Sequence, residues 1–475
     1  MVEVFLIPIL TGGMLVHLLW PDRDGKALLL KFFLGIGIGL GLSSLLYFLY
    51  MLFFAGQHWF LVIQLVIFAG LLANTIWEEK KRGWDFPKSW KLMHPTTMQS
   101  ILMGFSCVVF LISLSSTASY LLRRKQGDWD AWMMFNRAAR FVYLDPANWL
   151  ESFSSKMDPI FHADYPLLLA MNTASGWDTL GRETPRVPMV LSALFAIGCA
   201  GLMVGALASV KSAGQAALGL IILWGTPLVV NEGAREMADL PLAFFILATG
   251  VLIYLYVLHH KPGLIALAGL TAGLAAWTKN EGSVYVIATG LALMVAFFRE
   301  KPLRILSWYI LGLALPFAIV LYFKFFLAPP SDVLSSGPAR AIAQVLDISR
   351  HAQILQSFWS EIQQFGSWGI PGFSIGILPI LLVYFLLFHP GVAREQQTAY
   401  LAGITMLIVQ ALGYYVVYLI TPYDLTWHLF YSAERVILQI FPLILFLVLS
   451  ASRTPESIFD SNTADPIGEK HAASY

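Results

Sequence analysis

The sequence predicts an all-α polytopic membrane protein, a bundle of about 13 transmembrane helices. Three observations carry this expectation. Hydrophobic residues make up 57% of the chain, charged residues 12%, and the mean hydropathy is +0.69, whereas a soluble domain holds roughly 25% charged residues. Apolar runs of about 17 residues or more recur along the chain, each long enough to cross a bilayer as a helix. The runs are continuously apolar, without the alternation of two that a transmembrane barrel would show.

Taken in order, the runs fall at 3–20, 27–55, 58–76, 98–121, 188–210, 214–231, 240–258, 304–327, 371–388, 398–420 and 435–451. The stretch 263–298 is too long for one span and is broken by Thr278-Lys279-Asn280-Glu281-Gly282, so it reads as two short spans meeting there. This divides the chain into residues 1–97, three spans and a loop; 98–327, a core that includes the long loop 122–187; 328–370, an amphipathic loop; 371–451, the last spans; and 452–475, a tail without periodicity that reads as disordered. Cys107 and Cys199 both lie inside apolar runs, so free buried thiols are expected and no disulfide framework.

Orientation follows from the basic residues of the short loops. Arg23, Lys26, Lys80, Lys81, Arg82, Lys88, Lys91, Lys211, Lys261, Arg299, Lys301 and Arg394 mark one set of loops as cytoplasmic. The alternate loops carry Glu232, Glu236, Asp239, Glu281, Asp424 and Glu434 and share a side with 122–187, which is therefore expected outside, with the N-terminus outside and the C-terminus inside. Glu3 stands where a secretory signal needs a basic residue, so the first run reads as a retained span. The net charge of +1 says nothing about partners, and nothing points to nucleic acid.

Residues 122–187 form a polar, aromatic-rich island. A helix starting near Asp128 places Asp130 and Arg137 two turns apart on one strip, beside Asn136 and Arg140. Trp129, Trp132, Phe135 and Tyr143 supply the aromatic surface of an amphipathic, interfacial helix. Asp128 reads as an N-cap. Asp130 is the better functional candidate, because a carboxylate in an apolar stretch carries a desolvation cost. Further on, His162 and Asp164 precede Tyr165 and Pro166, a pair that either binds a ligand or makes loop hydrogen bonds.

Three later segments hold charge without a polar loop to solvate it. Glu232, Glu236 and Asp239 share a face if one helix runs through them, and Asp239, two residues before Pro241, reads equally as an N-cap or as site lining. Lys279 and Glu281 either line a wet cavity or pair with each other. Arg435 begins an apolar run, as suits a phosphate fork, while His428 reads first as structural. Ile354, Phe358, Ile362 and Phe365 recur at helical spacing and predict an amphipathic helix in the second long loop.

The string Asp128-Trp129-Asp130-Ala131-Trp132, followed by His162-Ala163-Asp164-Tyr165-Pro166, Glu236-Met237-Ala238-Asp239-Leu240-Pro241, Thr278-Lys279-Asn280-Glu281-Gly282 and Pro422-Tyr423-Asp424 through Glu434-Arg435, resembles bacterial glycosyltransferases of the C-type fold. The likeness is greatest to the dolichyl-phosphate-mannose protein mannosyltransferase-like and lipopolysaccharide galacturonosyltransferase-like members. It covers residues 98 to about 450, so the first three spans look like an N-terminal addition.

The resemblance implies transfer of a sugar, usually with inversion, from a polyprenyl-phosphate donor to an acceptor hydroxyl on a glycan, lipid or protein at the extracytoplasmic face of a bacterial inner membrane. On that reading Asp130 is the general base. Lys279, Arg435, Arg137, Arg140 and His162 are candidates for the donor phosphate, and Glu236, Asp239, Glu281, Asp164, Tyr165 and His428 for the sugar or acceptor. Metal dependence varies across the superfamily, and no cofactor is implied with certainty. Glu236 and Asp239 are the residues that would hold Mg²⁺ or Mn²⁺. The rival readings are a secondary transporter or flippase with Lys279 and Glu281 on its path, and a non-catalytic assembly subunit. Against transport, no internal repeat is visible and the charges gather on one predicted side.

Overall fold

The computed structural model describes residues 1–83, 95–154, 156–157, 159–300, 302–331, 337–366, 368–370, 373–388 and 391–459. Lys88, Lys91, Lys301 and the tail from 460 onward, all used in the sequence reading, lie outside the described residues. The protein is an all-α membrane protein in which nine helices, among the described residues, are long and apolar enough to cross a membrane.

The chain runs α1 Val2–Leu19, α2 Gly25–Phe54, α3 Phe60–Arg82, α4 Thr97–Arg123, α5 Asn136–Leu144, α6 Leu168–Leu180, α7 Arg186–Val210, α8 Ala213–Gly225, α9 Pro227–Glu232, α10 Asp239–His259, α11 Pro262–Thr278, α12 Asn280–Ala296 and α13 Pro302–Tyr322. It continues with α14 Pro338–Leu346, α15 Ile348–Gln364, strands β1 Trp368–Ile370 and β2 Phe373–Ile375, α16 Ile377–Leu387, α17 Gln397–Ile420, α18 Leu425–Ala451 and α19 Pro455–Phe459. Helices α8, α11, α12 and α16 are apolar but shorter than the nine, and these are the four that the expected number of about 13 counted as spans.

Helix α10 is the hub. It is buried along almost its whole length and packs on α7, α11, α17 and α18. Its Asp239 end carries the charged cluster described below. Its other end leads into Lys261, which lies in the field of Asp22, and Asp22 in turn belongs to a polar knot of Lys31, His17, Glu79 and Arg23. A 21-residue helix spans about 30 Å, so the two polar zones are separated by roughly the thickness of a hydrocarbon core.

Small residues set the closest helix approaches, as they do where packing rather than hydrophobicity drives association in lipid. A Cβ on Gly39 would overlap the Pro8 carbonyl oxygen, which draws α1 onto α2. A Cβ on Gly312 would overlap the Ala266 carbonyl oxygen, which draws α13 onto α11. Helix α2 packs into the core of the bundle. Ser44 accepts the Trp277 indole N–H at 2.9 Å, the Leu40 carbonyl accepts from Asn172 at 3.1 Å, and Phe48 stacks edge-on against Trp277.

Several expectations are corrected. Residues 168–177 of the polar island are buried in α6, which packs on α2, α5 and α7, so this part of the supposed interfacial loop is core. The antiparallel hairpin pairing Trp368 with Ile375 was not foreseen by an all-helical reading. In α15 Ile354 and the following Phe365 are buried as the spacing predicts, but Ile362 is exposed. Cys199 is buried, whereas Cys107 lies on an exposed face of α4. The start of the tail is ordered: Glu456 on α19 accepts from Ser212 Oγ at 3.0 Å and from the Gly214 N–H at 2.9 Å, so it caps α8.

Candidate functional site

Four separated segments bring their charges together beside the N-terminus of α10. Asp239 is the first residue of that helix and is fully buried. Its Oδ1 accepts from Lys279 Nζ at 2.8 Å and Gln439 Nε2 at 2.6 Å; its Oδ2 accepts from Arg435 Nε at 3.0 Å and Nη2 at 2.7 Å. The N-cap alternative is thereby corrected, since Ala238 holds the N-cap position and Asp239 is the first helical residue. A buried carboxylate needs this many donors, because unpaired ionised groups cost several kcal/mol to desolvate (roughly).

Lys279 is placed by a break in the chain. Helices α11 and α12 meet at this residue, whose backbone is extended, and a Cβ on Gly282 would overlap the Ala275 carbonyl oxygen, so only glycine lets the two ends come so close. Lys279 also pairs with Glu281 Oε1 at 3.1 Å, so the pairing alternative is observed together with the contact to Asp239. The Oε2 atom of Glu281 is buried without a hydrogen-bond partner among the described residues.

Asp130 reaches the cluster through Arg435, whose Nη2 donates to its Oδ2 at 2.7 Å. Unlike Asp239, its side chain is 24% exposed. The segment after it differs from the helix expected. Residues Ala131–Phe135 form a π turn, with the Asn136 N–H donating to the Ala131 carbonyl, and this inserts one extra residue into the helical repeat. Asp130 and Arg137 therefore do not share a strip. Asp130 turns to Arg435, Asn136 donates to Glu236 Oε2 at 3.4 Å, and Arg137 lies over the Phe161 ring at 4.7 Å. Arg140 is engaged elsewhere, with Glu183 at 2.7 Å and Gln126 at 3.3 Å.

Asp128 sits at the start of this helical segment, and its Oδ1 accepts the Trp129 N–H at 2.9 Å. It also accepts from Arg235 at 2.8 Å, tying the segment to the loop before α10. Burial alone would raise its pKa, but the Trp129 N–H and the Arg235 guanidinium hold the carboxyl below its ordinary value.

Glu236 does not join Asp239. Helix α9 ends at Glu232 and Glu236 has a φ of 59°, so the expected single face of Glu232, Glu236 and Asp239 is broken. Glu236 is buried, its Oε1 has no hydrogen-bond partner among the described residues, and burial pushes its carboxyl up to about 8, with Asn136 opposing. It lines a small cavity with Asn136, Thr173 and Ser192. Among the described residues no group of three or more His, Cys, Asp and Glu side chains is placed to hold a metal ion.

Asp164 is buried on the far side of Lys279, accepting from Asn280 Nδ2 at 2.9 Å and pairing with Lys324 at 3.3 Å. Tyr165 links the two groups. Burial pushes its phenol well above the ordinary value, Glu281, Asp164 and Asp130 push the same way, and Arg435 opposes. The His162 ring stands 5.1 Å from that of Tyr165 and 6.4 Å from that of Tyr423. His428 bonds Thr421 Oγ1 at 2.9 Å and packs on Tyr418 at 4.8 Å.

Sequence reasoning missed Gln439 and Lys324, and it named Asn280 and Asn136 only as neighbours of the charged candidates. Gln439 had a signal, since it follows Arg435 by four and shares its helix face. Lys324 had only its presence near the end of an apolar run, 160 residues from Asp164.

No family model, no curated protein and no solved structure matches the chain.

Proposed function

We propose that the protein is a membrane glycosyltransferase of the C-type fold, with about 13 spans, that moves a sugar from a polyprenyl-phosphate donor to an acceptor hydroxyl at the extracytoplasmic face of a bacterial inner membrane. The observation that carries the reading is the contact of Asp130 with Arg435 inside a charged cluster at one end of an apolar bundle. A reaction that expels a phosphate needs a base for the acceptor and a cation for the leaving group, and these two residues supply both side by side.

The cluster also distinguishes its carboxylates. Asp239 is buried and saturated by Lys279, Gln439 and Arg435, so it orients cations. Asp130 is partly exposed and can meet an acceptor. In the proposed step Asp130 takes the acceptor O–H proton as that oxygen bonds the anomeric carbon from the side opposite the phosphate. The anomeric C–O bond to phosphate breaks, its electron pair leaves on the lipid phosphate, and Arg435 and Lys279 offset the growing charge. The sugar emerges inverted.

The test is transfer from a radiolabelled polyprenyl-phosphate sugar by purified protein in lipid nanodiscs, with glycolipids and surface glycans of cells with and without the protein compared by mass spectrometry to identify sugar and acceptor. Full transfer by Asp130→Asn would sink the assignment of the base. Solute uptake by proteoliposomes without any sugar transfer would replace the enzyme by a transporter.

A further inference from the structure

Arg137 is a half-buried cation without a counter-charge among the described residues. Its Nε donates to the Met133 carbonyl at 3.1 Å, its guanidinium lies over Phe161 at 4.7 Å and Phe141 at 5.7 Å, and its Nη1 is buried with no hydrogen-bond partner among the described residues. No carboxylate among the described residues pairs with it. Burial lowers its pKa, and no neighbouring anion raises it, in contrast to Arg235 and its acidic partners. A guanidinium that gives up water without gaining an anion is destabilising for the fold, so a ligand that supplies the anion would relieve that cost.

The surroundings define the ligand. Arg137 lines a cavity with Phe153, Phe161, His162 and Tyr165, together with Met134 and Leu167. The cavity is partly open and offers about 10 Å³, room for one oxygen atom (about one water), so an anion enters by one oxygen and leaves its bulk at the loop surface. The same segment exposes Leu150 and Ile160, together with Glu151 and Lys156. Tyr165 is shared with the Asp130 cluster, which it feels electrostatically.

We infer that Arg137 and the aromatic cavity beside it form an oxyanion subsite, separate from the Arg435 cluster, for a phosphate carried on an apolar stem. Two sources share that chemistry: the polyprenyl phosphate of the donor and a phospholipid headgroup of the bilayer. In the first case the subsite rests on the proposed function and gives the carrier phosphate a docking point at Arg137, from which it reaches Arg435 and Lys279 for the transfer step.

The experiment measures binding to the full chain in zwitterionic nanodiscs, read by tryptophan fluorescence, for wild type, Arg137→Gln and Arg137→Lys. The probes are undecaprenyl monophosphate without sugar, phosphatidylglycerol, and inorganic phosphate as competitor. Loss of a charge-assisted contact predicts a weakening of about ten- to a hundredfold for undecaprenyl monophosphate in Arg137→Gln, a smaller one in Arg137→Lys, and competition by inorganic phosphate in wild type alone. The same pattern with phosphatidylglycerol instead would keep the subsite and assign it to a bilayer lipid. Equal affinity of wild type and Arg137→Gln for both lipids, with Arg137→Gln eluting and unfolding as wild type does, overturns the subsite. Because the probe carries no sugar, binding through Arg137 by a protein that transfers nothing would overturn the proposed function and leave the subsite standing.

Discussion

Arg435 grips Asp239 through two nitrogens, Nε at 3.0 Å and Nη2 at 2.7 Å, across 196 positions of sequence. The same Nη2 holds Asp130, and the other oxygen of Asp239 holds Lys279. Asp239 is thus the anion that allows two cations to remain buried at the end of α10. Replacing it by Asn leaves Lys279 and Arg435 with one partly exposed carboxylate each, Glu281 and Asp130. Breaking a buried pair by removing one partner costs about 3–5 kcal/mol. Asp239→Asn is expected to lower the thermal midpoint in detergent, and adding Lys279→Met should restore part of it. A midpoint equal to wild type in the single variant would show that the cluster does not hold the fold.

Asp130→Asn separates chemistry from stability. Asp130 is partly exposed and, among the described residues, its carboxylate is held by Arg435 alone, so the variant should unfold close to wild type and far above Asp239→Asn. Loss of a general base costs about 10²–10⁴ in rate. Labelled-donor transfer measured beside the unfolding midpoint checks both. A midpoint that falls as far as that of Asp239→Asn would make Asp130 a structural residue.

Glu236 predicts a pH dependence of stability. Its carboxyl, ordinarily near 4.5, is raised to about 8 by burial. Between these values the unfolded chain is ionised while the folded chain keeps the proton, so stability is full at low pH and falls as pH rises toward 8. Glu236→Gln removes the titration. The expected result is an unfolding midpoint that declines between roughly pH 5 and pH 8.5 in wild type and stays flatter in the variant, with Glu236→Gln the more stable at the upper end. Parallel curves would contradict a neutral, buried carboxyl.

The parts legible in the sequence were those that local patterns write. Continuous apolar runs announced the helices, and Thr278-Lys279-Asn280-Glu281-Gly282 announced a break that the structure places between α11 and α12. Asp130, Asp239, Lys279, Glu281 and Arg435 were all singled out, because an ionisable residue in apolar surroundings is costly unless paired. Their pairing was not legible, since it depends on how helices 40 to 305 positions apart meet. The π turn at Ala131–Phe135 was also invisible, because its five residues carry no glycine or proline to mark it, and a one-residue insertion was enough to send Arg137 away from Asp130. The parting of Glu236 from Asp239 escaped for a related reason: a positive φ at a glutamate is imposed by surrounding packing and not by its own preference.

Gly127 and Gly181 test whether the approach to Asp130 is built with tight tolerance. Both have positive φ, 69° and 64°, and alanine at either carries the left-handed penalty of about 1 kcal/mol or somewhat more. Their surroundings differ. A Cβ on Gly181 would meet nothing within 4 Å, whereas one on Gly127 would stand 2.6 Å from Ala131 Cβ and 2.9 Å from Glu236 Cβ and would overlap the Arg235 carbonyl oxygen. That carbonyl accepts the Asp128 N–H at 3.0 Å, the contact that seats the Asp130 segment on the loop before α10. Gly181→Ala should therefore lose a little stability and keep its transfer rate. Gly127→Ala must push the segment off Arg235, moving Asp130 relative to Arg435, and a misplacement near 1 Å can cost about 10² in rate. Transfer rates of the two variants, compared at temperatures well below both unfolding midpoints, decide the matter: equal rates would mean that the seat of Asp130 tolerates displacement, and the geometry of the Asp130–Arg435 contact would then not limit the reaction.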